Sequence, residues 1–412
     1  MRATFEGAMT VDPQTRLVEA RDDTNDELWS VYADWLERRG DPRSELLRLS
    51  MLVEAGVEDE AVGARAAELE AKLVAPVEDA AGGFELGWRR GFVDRLRAEE
   101  PWERGETSAA DRLSALLDAE ALRLLRTLEI DREDRDDVAM GALGQRGTFE
   151  WARAVFEGRS LPQLRRLGIG GAPSEDMHLS QTSNWMMTST APGEGGRIYR
   201  PDRYVGDISP ALAATPGLRE LEVAGEGIRV DASALPAGLK SLRVATRYLR
   251  QTTLAAVSAA RLPELERLEL WLGFWPDSVV DFEGPEGEEY YGPETSPEDL
   301  RGLLAGGGVP ALRELALVHC AYMAELLEAL ATSPLLAQIE ALDLSYGFLG
   351  ADQLGPLLDA SERFAHLRRL DLSHHQLDDE ALAQLRARFG EALISEAQFG
   401  REGDAALQLL SF

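Results

Sequence analysis

The chain has 412 residues, of which 44% are hydrophobic and 28% charged, the composition of a folded globular protein. Its 73 acidic against 43 basic residues give a formal charge of −30, which repels nucleic acid and anionic membranes and either steers basic partners or only maintains solubility. No apolar run reaches membrane-spanning or signal-peptide length, and a lone cysteine, Cys320, excludes an internal disulfide. These features predict a cytoplasmic protein without nucleic-acid or membrane partners.

Residues 1–75 predict a small helical domain. In "DELWSVYADWLERRGDPRSELLRL" (26–49), apolar residues recur at helical spacing, and Gly40 can end the helix that they define. Asp41 and Pro42 can open a second helix as its N-cap and first residue. A third helical run follows in "EDEAVGARAAELEAKL", at 58–73.

This N-terminal stretch resembles the repeat-companion domain of bacterial repeat proteins. The residues that match are Tyr32-Ala33-Asp34-Trp35-Leu36-Glu37, Gly40-Asp41-Pro42-Arg43, Glu45 and Leu49. In that family the segment precedes tandem repeats and has no known catalysis, so the resemblance implies a capping or docking element. We interpret the charged residues Asp34, Glu37 and Arg43 as surface ion pairs and caps.

Residues 76–101 are predicted to open the repeats as a strand and cap. The stretch "FELGWRRGFVDRLRAEE" (84–100) resembles the segment through which the same family enters its repeats. Phe92, Val93 and Leu96 are expected in the opening strand, with Trp88 over the end of the core.

Residues 102–398 contain the pattern Leu-x-x-Leu-x-Leu, with Ile or Val allowed, in eight copies. They are Leu125/Leu128/Ile130, Leu164/Leu167/Ile169, Leu218/Leu221/Val223, Leu239/Leu242/Val244, Leu265/Leu268/Leu270, Leu312/Leu315/Leu317, Ile339/Leu342/Leu344 and Leu367/Leu370/Leu372. The last three begin 27 and 28 residues apart, the spacing of leucine-rich repeats with a helix in each unit. Numbering each copy from its first leucine, positions 4 and 6 face the core of a strand, and positions 3, 5 and 7 face outward.

The predicted fold is therefore an α/β leucine-rich-repeat solenoid, a parallel-sheet horseshoe with outer helices, preceded by the helical domain and followed by a tail at 399–412. Candidate helices lie at 252–262, 296–306, 321–333, 350–360 and 378–390. Residues 209–398, with "LPELERLELWLG" and "LRRLDLSHHQL", resemble an uncharacterised family of bacterial proteins with ribonuclease-inhibitor-like repeats. That resemblance implies the fold and no activity. The asparagine common at position 9 is missing, because the only asparagines are Asn25 and Asn184.

Three insertions lengthen the period, at 131–160, 171–208 and 273–297, and insertions in repeat proteins often form the binding face. From residue 274 to 300 there are nine acids and no Lys or Arg. Trp275, Tyr290 and Tyr291 in this acidic-aromatic loop are candidate contacts for a basic partner, since Trp and Tyr dominate interfaces. The alternatives are a loop whose aromatics fold back onto the solenoid, or a calcium loop, which lacks EF-hand spacing.

The concave face offers a second candidate surface. Position 5 reads Glu129, Gly168, Glu222, Arg243, Glu269, Ala316, Asp343 and Asp371 along the repeats. The candidate partner-binding residues are Glu222, Glu269, Asp343 and Asp371, with Trp271 at position 7 of its repeat. The competing interpretation is a solvated face on which charges pair between adjacent strands. Both remain open.

The histidines allow a chemical alternative. His319, Tyr346 and His374 occupy position 8 of the last three repeats and predict a His-Tyr-His row, in which Tyr346 and His374 are candidate partner contacts. His375 with Asp378 or Asp379 is a candidate metal pair, although Asp378 is favoured as a helix N-cap. Cys320, at position 9, is predicted to be buried.

The sequence thus predicts a non-enzymatic protein-binding scaffold, adaptor or inhibitor, with no cofactor and a partner that has a basic surface. Two alternatives are kept. One is a metal-dependent enzyme with its site near His319, Tyr346, His374 and Asp378, and the other is a structural subunit of a larger assembly.

Overall fold

The structure is a computed structural model that describes residues 13–19, 26–82, 84–99, 109–131, 152–170, 205–225, 227–246, 249–273, 282–283, 289–290, 295–347, 349–396 and 398. Five helices come first: α1 Pro13–Glu19, α2 Asp26–Arg38, α3 Arg43–Glu54, α4 Glu60–Leu73 and α5 Ala75–Ala81. The N-terminal runs predicted from periodicity are helical, and the turn after α2 contains Gly40 at φ +70°. Glycine adopts this left-handed conformation without a steric penalty.

The N-terminal helices bury the faces that their apolar spacing defines. In α2 the buried residues are Trp29, Tyr32, Ala33 and Leu36, and in α3 they include Leu46 and Leu47. Phe92, from the sheet that follows, packs into the same cluster as Tyr32, with ring centroids 5.7 Å apart. The helices are therefore docked on the beginning of the sheet.

One sheet of eleven strands runs along the rest of the molecule, in the order of the chain. Its strands are β1 Glu85–Arg89, β2 Phe92–Glu99, β3 Thr127–Asp131, β4 Arg166–Ile169, β5 Glu220–Ala224, β6 Ser241–Ala245, β7 Arg267–Trp271, β10 Glu314–Val318, β11 Ala341–Asp343, β12 Arg369–Asp371 and β13 Leu393–Ile394. β1 and β2 are antiparallel, and every later pair is parallel. The eight strands predicted from the leucine pattern are all present, which confirms the leucine-rich-repeat fold.

The register of the parallel strands explains why the Leu-x-x-Leu-x-Leu pattern predicts them. The position-4 leucines of successive repeats are direct neighbours, as Leu315 is of Leu268 and Leu342. The described helices on the other side of this layer are α6 Ala109–Leu117, α7 Ser209–Ala214, α8 Gln251–Ala259, α9 Arg301–Leu304, α10 Met323–Thr332, α11 Gly355–Asp359, α12 Ser361–Phe364 and α13 Asp379–Phe389. The leucines and the helices form one continuous core from Ala81 to Leu385. No repeat could bury its leucines alone, so stacking holds the fold together.

The structure departs from the sequence expectations at the ends of elements. The helix expected from residue 296 begins at Arg301, because Asp299 Oδ2 accepts hydrogen bonds from the Ser296 amide and hydroxyl, at 2.8 Å and 2.7 Å, in a preceding turn. In the insertion at 273–297, β8 Phe282–Glu283 and β9 Glu289–Tyr290 pair antiparallel. The insertion residues 132–151 and 171–204 lie outside the described residues. None of the described helices is long and apolar enough to span a membrane.

Candidate functional site

The candidate site is the open face of the sheet, which we define as positions 3, 5 and 7 of the strands, opposite the helices. In β5 and β6 these side chains are partly exposed at positions 3 and 5, while positions 4 and 6 are buried. Strand pairing places the position-5 residues in one row across the sheet, so that Glu222 adjoins Arg243, and Asp343 adjoins Asp371. A groove of about 360 Å³ follows this face from Arg166 to Arg369.

The first half of the open face is a network of ion pairs. Arg166 lies 3.6 Å from Glu129, 3.0 Å from Glu220 and 3.3 Å from Glu222. Arg243 lies 3.2 Å from Glu222 and 2.9 Å from Glu269. The acidic stripe read from position 5 is therefore neutralised here by arginines at positions 3 and 5. The interpretation of paired charges applies to this half of the sheet.

The second half of the open face carries more acid than base. Asp343 and Asp371 are neighbours across the sheet, and both face Arg369, at 3.9 Å and 2.9 Å. Burial, together with the Asp371 carboxylate, raises the pKa of Asp343. Glu314 is exposed, adjoins Arg267 in the strand register, and makes no ion pair among the described residues. Two carboxylates thus share one arginine, and a third lies two strands away.

Two candidate contact residues are less accessible than the sequence implied. Trp271 is on the open face but is fully buried, packed with Ala224, Ala245 and Val318. Its indole Nε1 donates a hydrogen bond of 2.7 Å to Glu269 Oε1. Asp371 is 7% exposed. The expectation that Trp271 and Asp371 are exposed contacts is therefore corrected. Arg369 pairs with the Asp371 carboxylate, and the Trp271 indole holds the Glu269 carboxylate by its hydrogen bond.

The predicted aromatic row is present at the carboxyl ends of the strands. Ring centroids lie 4.8 Å apart for Trp271 and His319, 5.1 Å for His319 and Tyr346, and 4.0 Å for Tyr346 and His374. His319 is buried, whereas Tyr346 and His374 are half-buried. The three position-8 residues have φ between +57° and +60°, a conformation that bulky side chains rarely adopt. The row presents two aromatic side chains next to the acidic half of the open face.

His375 and Asp378, which were proposed as a metal-binding pair, each make structural hydrogen bonds. His375 is fully buried, and its ring nitrogens contact Leu344 O at 2.8 Å and the Leu349 amide at 3.2 Å. A carbonyl only accepts, so Nε2 carries the proton and Nδ1 accepts. Burial lowers the pKa of His375 to about 4. Asp378 Oδ1 accepts a hydrogen bond of 2.8 Å from Ala381 N and caps α13, as predicted.

A further residue, Gln398, repeats the role of His375 one strand later. Its Nε2 donates to Leu372 O at 2.8 Å, and its Oε1 accepts from the Leu377 amide at 3.4 Å. Because Leu393 pairs with Leu370, Gln398 stands at position 9 of a ninth unit. Side chains at position 9 thus replace the missing asparagines in the last repeats. Cys320, also at position 9, is buried as predicted, and its burial raises the pKa of the thiol.

The remaining candidates lie in the acidic-aromatic loop. Trp275 and Tyr291 are outside the described residues, and for Tyr290 only the backbone, in β9, is described. Within the described ranges, no three His, Cys, Asp or Glu side chains converge to hold a metal ion. Sequence reasoning placed Glu314 and Arg369 on the concave face, at position 3, but did not select them as site residues. It missed Gln398, which follows a unit without the leucine signature.

Comparisons with known proteins concern the fold and indicate no function. No protein-family model matches the chain, and no curated protein matches it. A crystal structure of a protein from Bacteroides fragilis is similar with a TM-score of 0.51 and 20% identity, covering 81% of this chain and 83% of that one. At this identity the likeness shows a shared fold alone.

Two weaker likenesses involve proteins described as leucine-rich-repeat proteins. One, from Bacteroides eggerthii, has a TM-score of 0.26 and 12% identity over 72% of this chain and 44% of that one. The other, from Leptospira interrogans, has a TM-score of 0.22 and 13% identity over 79% of this chain and 98% of that one. Similarity at this level supports no inference about function. The resemblances to the companion domain and to the uncharacterised repeat family stay predictions.

Proposed function

We propose that the chain is a non-enzymatic protein-binding scaffold, and that a basic segment of a partner protein binds the acidic half of the open face. The observation that carries the proposal is the pair of Asp343 and Asp371, which shares Arg369, with the exposed Glu314 in the same groove. These carboxylates belong to rigid neighbouring strands, so they form a preorganised surface. Solenoids supply extended binding surfaces of this kind.

The charge balance indicates which partner fits. Asp343 and Asp371 sit side by side with one cation between them, and burial already raises the pKa of Asp343. A Lys or Arg from a partner would stabilise the ionised pair by Coulomb attraction. In the first half of the face, Arg166 and Arg243 already supply such cations to their acidic neighbours. The site is therefore confined to β10–β12.

The aromatic row supplies apolar contacts beside these charges. Tyr346 and His374 are half-buried and stacked, with Trp271 and His319 behind them. An arginine side chain can stack on an aromatic face while it pairs with a carboxylate. We therefore expect the partner segment to contain arginine next to an apolar residue. The acidic-aromatic loop at 273–297, which follows β7, is proposed as an additional contact.

A displayed peptide library tests this proposal without knowledge of the natural partner. Peptides are selected on the wild-type chain and on the double variant Glu314→Gln/Asp343→Asn, which removes two charges and conserves side-chain size. The proposal expects Arg- and Lys-containing peptides to be enriched on the wild type. Their affinity should fall about tenfold on the double variant and fall further with added salt.

The matched control is Glu328→Gln/Glu362→Gln, which removes two exposed carboxylates on α10 and α12, on the opposite side of the sheet. It changes the net charge by the same amount without touching the open face, so it should leave the affinity of the same peptides unchanged. Equal losses in both variants would mean that the overall charge attracts the peptides. Selection of peptides without basic residues would rule out the proposed partner class.

A further inference from the structure

A second groove, of about 400 Å³, lies where the N-terminal helices meet the starting ends of β2–β6. Its lining contains five cations, Arg89, Arg126, Arg165, Arg219 and Lys240, and two acids, Asp94 and Glu220. This balance is the reverse of that of the chain, in which acids outnumber bases by 73 to 43. A local excess of cations in so acidic a protein needs a specific cause.

Position 2 of four successive repeats supplies most of these cations. Arg126, Arg165, Arg219 and Lys240 each precede a strand, β3 to β6, and the strands are neighbours in the sheet. Adjacent strands are about 4.8 Å apart, so the four cations form a row of roughly 14 Å. Such a row matches an extended segment that crosses the strand ends.

Arg165, one of the two inner cations of the row, has no acidic partner among the described residues. The Arg165 guanidinium donates only to backbone carbonyls, namely those of Pro162 at 2.6 Å, Leu164 at 3.3 Å, Gly217 at 3.2 Å and Val18. Its neighbours have carboxylates: Arg126 with Asp94 at 2.7 Å, Arg219 with Glu264 at 2.8 Å and Lys240 with Glu266 at 2.9 Å. Burial, and then the charges of Arg219 and Arg126, lower the pKa of Arg165.

The carbonyl contacts explain how Arg165 is placed and leave its charge uncompensated. A Cβ on Gly217 would lie 2.3 Å from Arg165 Nη1, so only glycine at this position admits the guanidinium. The other wall of the groove is apolar, with the partly exposed Val18 packed against the buried Leu17, Trp29 and Phe92. The groove therefore joins a fixed row of positive charge to an aliphatic surface.

We infer that this groove binds a short acidic peptide segment of a partner protein, with carboxylates along the cation row and an apolar side chain against Val18. A long polyanion such as nucleic acid is disfavoured, because the rest of the chain, with a formal charge of −30, would repel it. The inference is independent of the proposed function. The basic groove and the acidic half of the open face lie on different strands, and they attract partners of opposite charge.

The two lysines of the chain, Lys72 and Lys240, provide a direct test. Lys240 lines the groove, whereas Lys72 is exposed on α4. The probe is a fluorescein-labelled peptide of alternating Glu and Phe that keeps its glutamate carboxylates free and carries one succinimidyl ester, at its C-terminus. A bound peptide then acylates the nearest amine and releases N-hydroxysuccinimide. Mass spectrometry of the digested full-length chain is expected to find the peptide on Lys240 in at least fivefold excess over Lys72.

The equilibrium affinity of the unactivated peptide, measured by fluorescence anisotropy, provides the second readout. Lys240→Gln is expected to weaken binding about fivefold to tenfold, Lys240→Arg to restore it, and Lys72→Gln to leave it unchanged. A Glu-Ser peptide of the same charge should bind at least fivefold more weakly, because it lacks apolar contacts. Equal labelling of both lysines, or equal binding of the Glu-Phe and Glu-Ser peptides, would overturn the inference. Tighter binding of tripolyphosphate than of either peptide would assign the groove to phosphate instead.

Discussion

Single residues at positions 8 and 9 decide how the last repeats are joined. His375 and Gln398 bond the backbone of the preceding unit in the same way, through one acceptor and one donor. The leucine pattern located position 9, and the absence of asparagine there was evident. Which side chain substitutes for it could not be predicted, because that depends on the distance to the neighbouring backbone. His375, the candidate metal ligand, is a link between repeats, and the adjacent His374 is a ring of the aromatic row.

The first prediction concerns acid stability. The pKa of His375 is about 4 in the folded chain, against an ordinary value of 6.5, so the unfolded state binds a proton that the native state does not. The free energy of unfolding should therefore fall as pH decreases from 6.5 to 4, by about 3 kcal/mol from this residue. Urea unfolding at pH 8 and pH 4.5 measures the effect.

The control for acid stability is His375→Gln, since glutamine can make both backbone bonds, as Gln398 does, without titrating. Carboxylates also protonate in this range, so the informative quantity is the difference between wild type and variant. We expect the variant to lose about 2.5 kcal/mol less than the wild type between the two pH values. Parallel pH profiles would contradict the assigned role of His375.

The second prediction concerns the strained backbone of the aromatic row. Tyr346 has φ +57°, which costs a non-glycine residue roughly 1–2 kcal/mol. Tyr346→Ala and Tyr346→Gly both remove the stacked ring, but only glycine relieves the backbone. We expect the glycine variant to be more stable by about 1 kcal/mol in urea unfolding. The control is Ala329→Gly, within α10, where glycine should be less stable than alanine, as is usual in a helix. If Tyr346→Ala is more stable than Tyr346→Gly, the backbone at residue 346 is not strained.

At the scale of elements, the leucine pattern predicted the strands because it states the physical requirement for burial. Leu315, Leu342 and Leu370 are buried neighbours in the sheet for the same reason that they recur in the sequence. β13 was missed because its unit has Gly390 and Ser395 where the pattern requires leucine. The charges of the open face were read correctly by position. Their pairing was offered as one of two interpretations, because side-chain conformations decide which carboxylate each arginine reaches.

The third prediction tests how a helix begins after its strand. Asp378 Oδ1 accepts from Ala381 N at 2.8 Å, which satisfies an amide that α13 leaves without an intrahelical partner. Asp378→Ala should lower the free energy of unfolding by about 1 kcal/mol. Asp378→Ser should retain most of the stabilisation that the cap provides, because the serine hydroxyl can accept the same hydrogen bond. The midpoints of urea unfolding measure both variants. A serine variant as unstable as the alanine variant would show that charge, rather than capping, matters at this position.

At the scale of the whole molecule, charge is divided between two surfaces. The acidic half of the open face, around Asp343 and Asp371, lies towards the end of the sheet. The basic groove, around Arg165, lies near its beginning and borders the N-terminal helices. A scaffold of this form could hold a basic and an acidic partner at once. The formal charge of −30 averages over both surfaces, so composition alone indicated a basic partner and gave no sign of the basic groove.

The fourth prediction concerns the attachment of the N-terminal helices to the sheet. Asp41, in the turn between α2 and α3, lies 2.9 Å from Arg123, just before β3, and the two side chains are 14% and 13% exposed. At such low exposure the pair is worth more than a surface ion pair. Asp41→Asn removes its charge while Oδ1 can still accept from Arg43 N, a bond of 3.0 Å. Hydrogen exchange should show α2 and α3 opening more readily by about 1–2 kcal/mol, with β6 unchanged.

The comparison variant for this attachment is Asp34→Asn, which breaks an exposed pair with Arg48 within the N-terminal helices. It should change protection by less than about 0.5 kcal/mol, because exposed pairs contribute little. An equal loss of protection in β6 and α2 after Asp41→Asn would mean that helices and sheet unfold as one unit. Selective opening of the helices would instead show that the Asp41–Arg123 pair helps the Phe92 cluster to hold them on the sheet, beside the basic groove that they help to form.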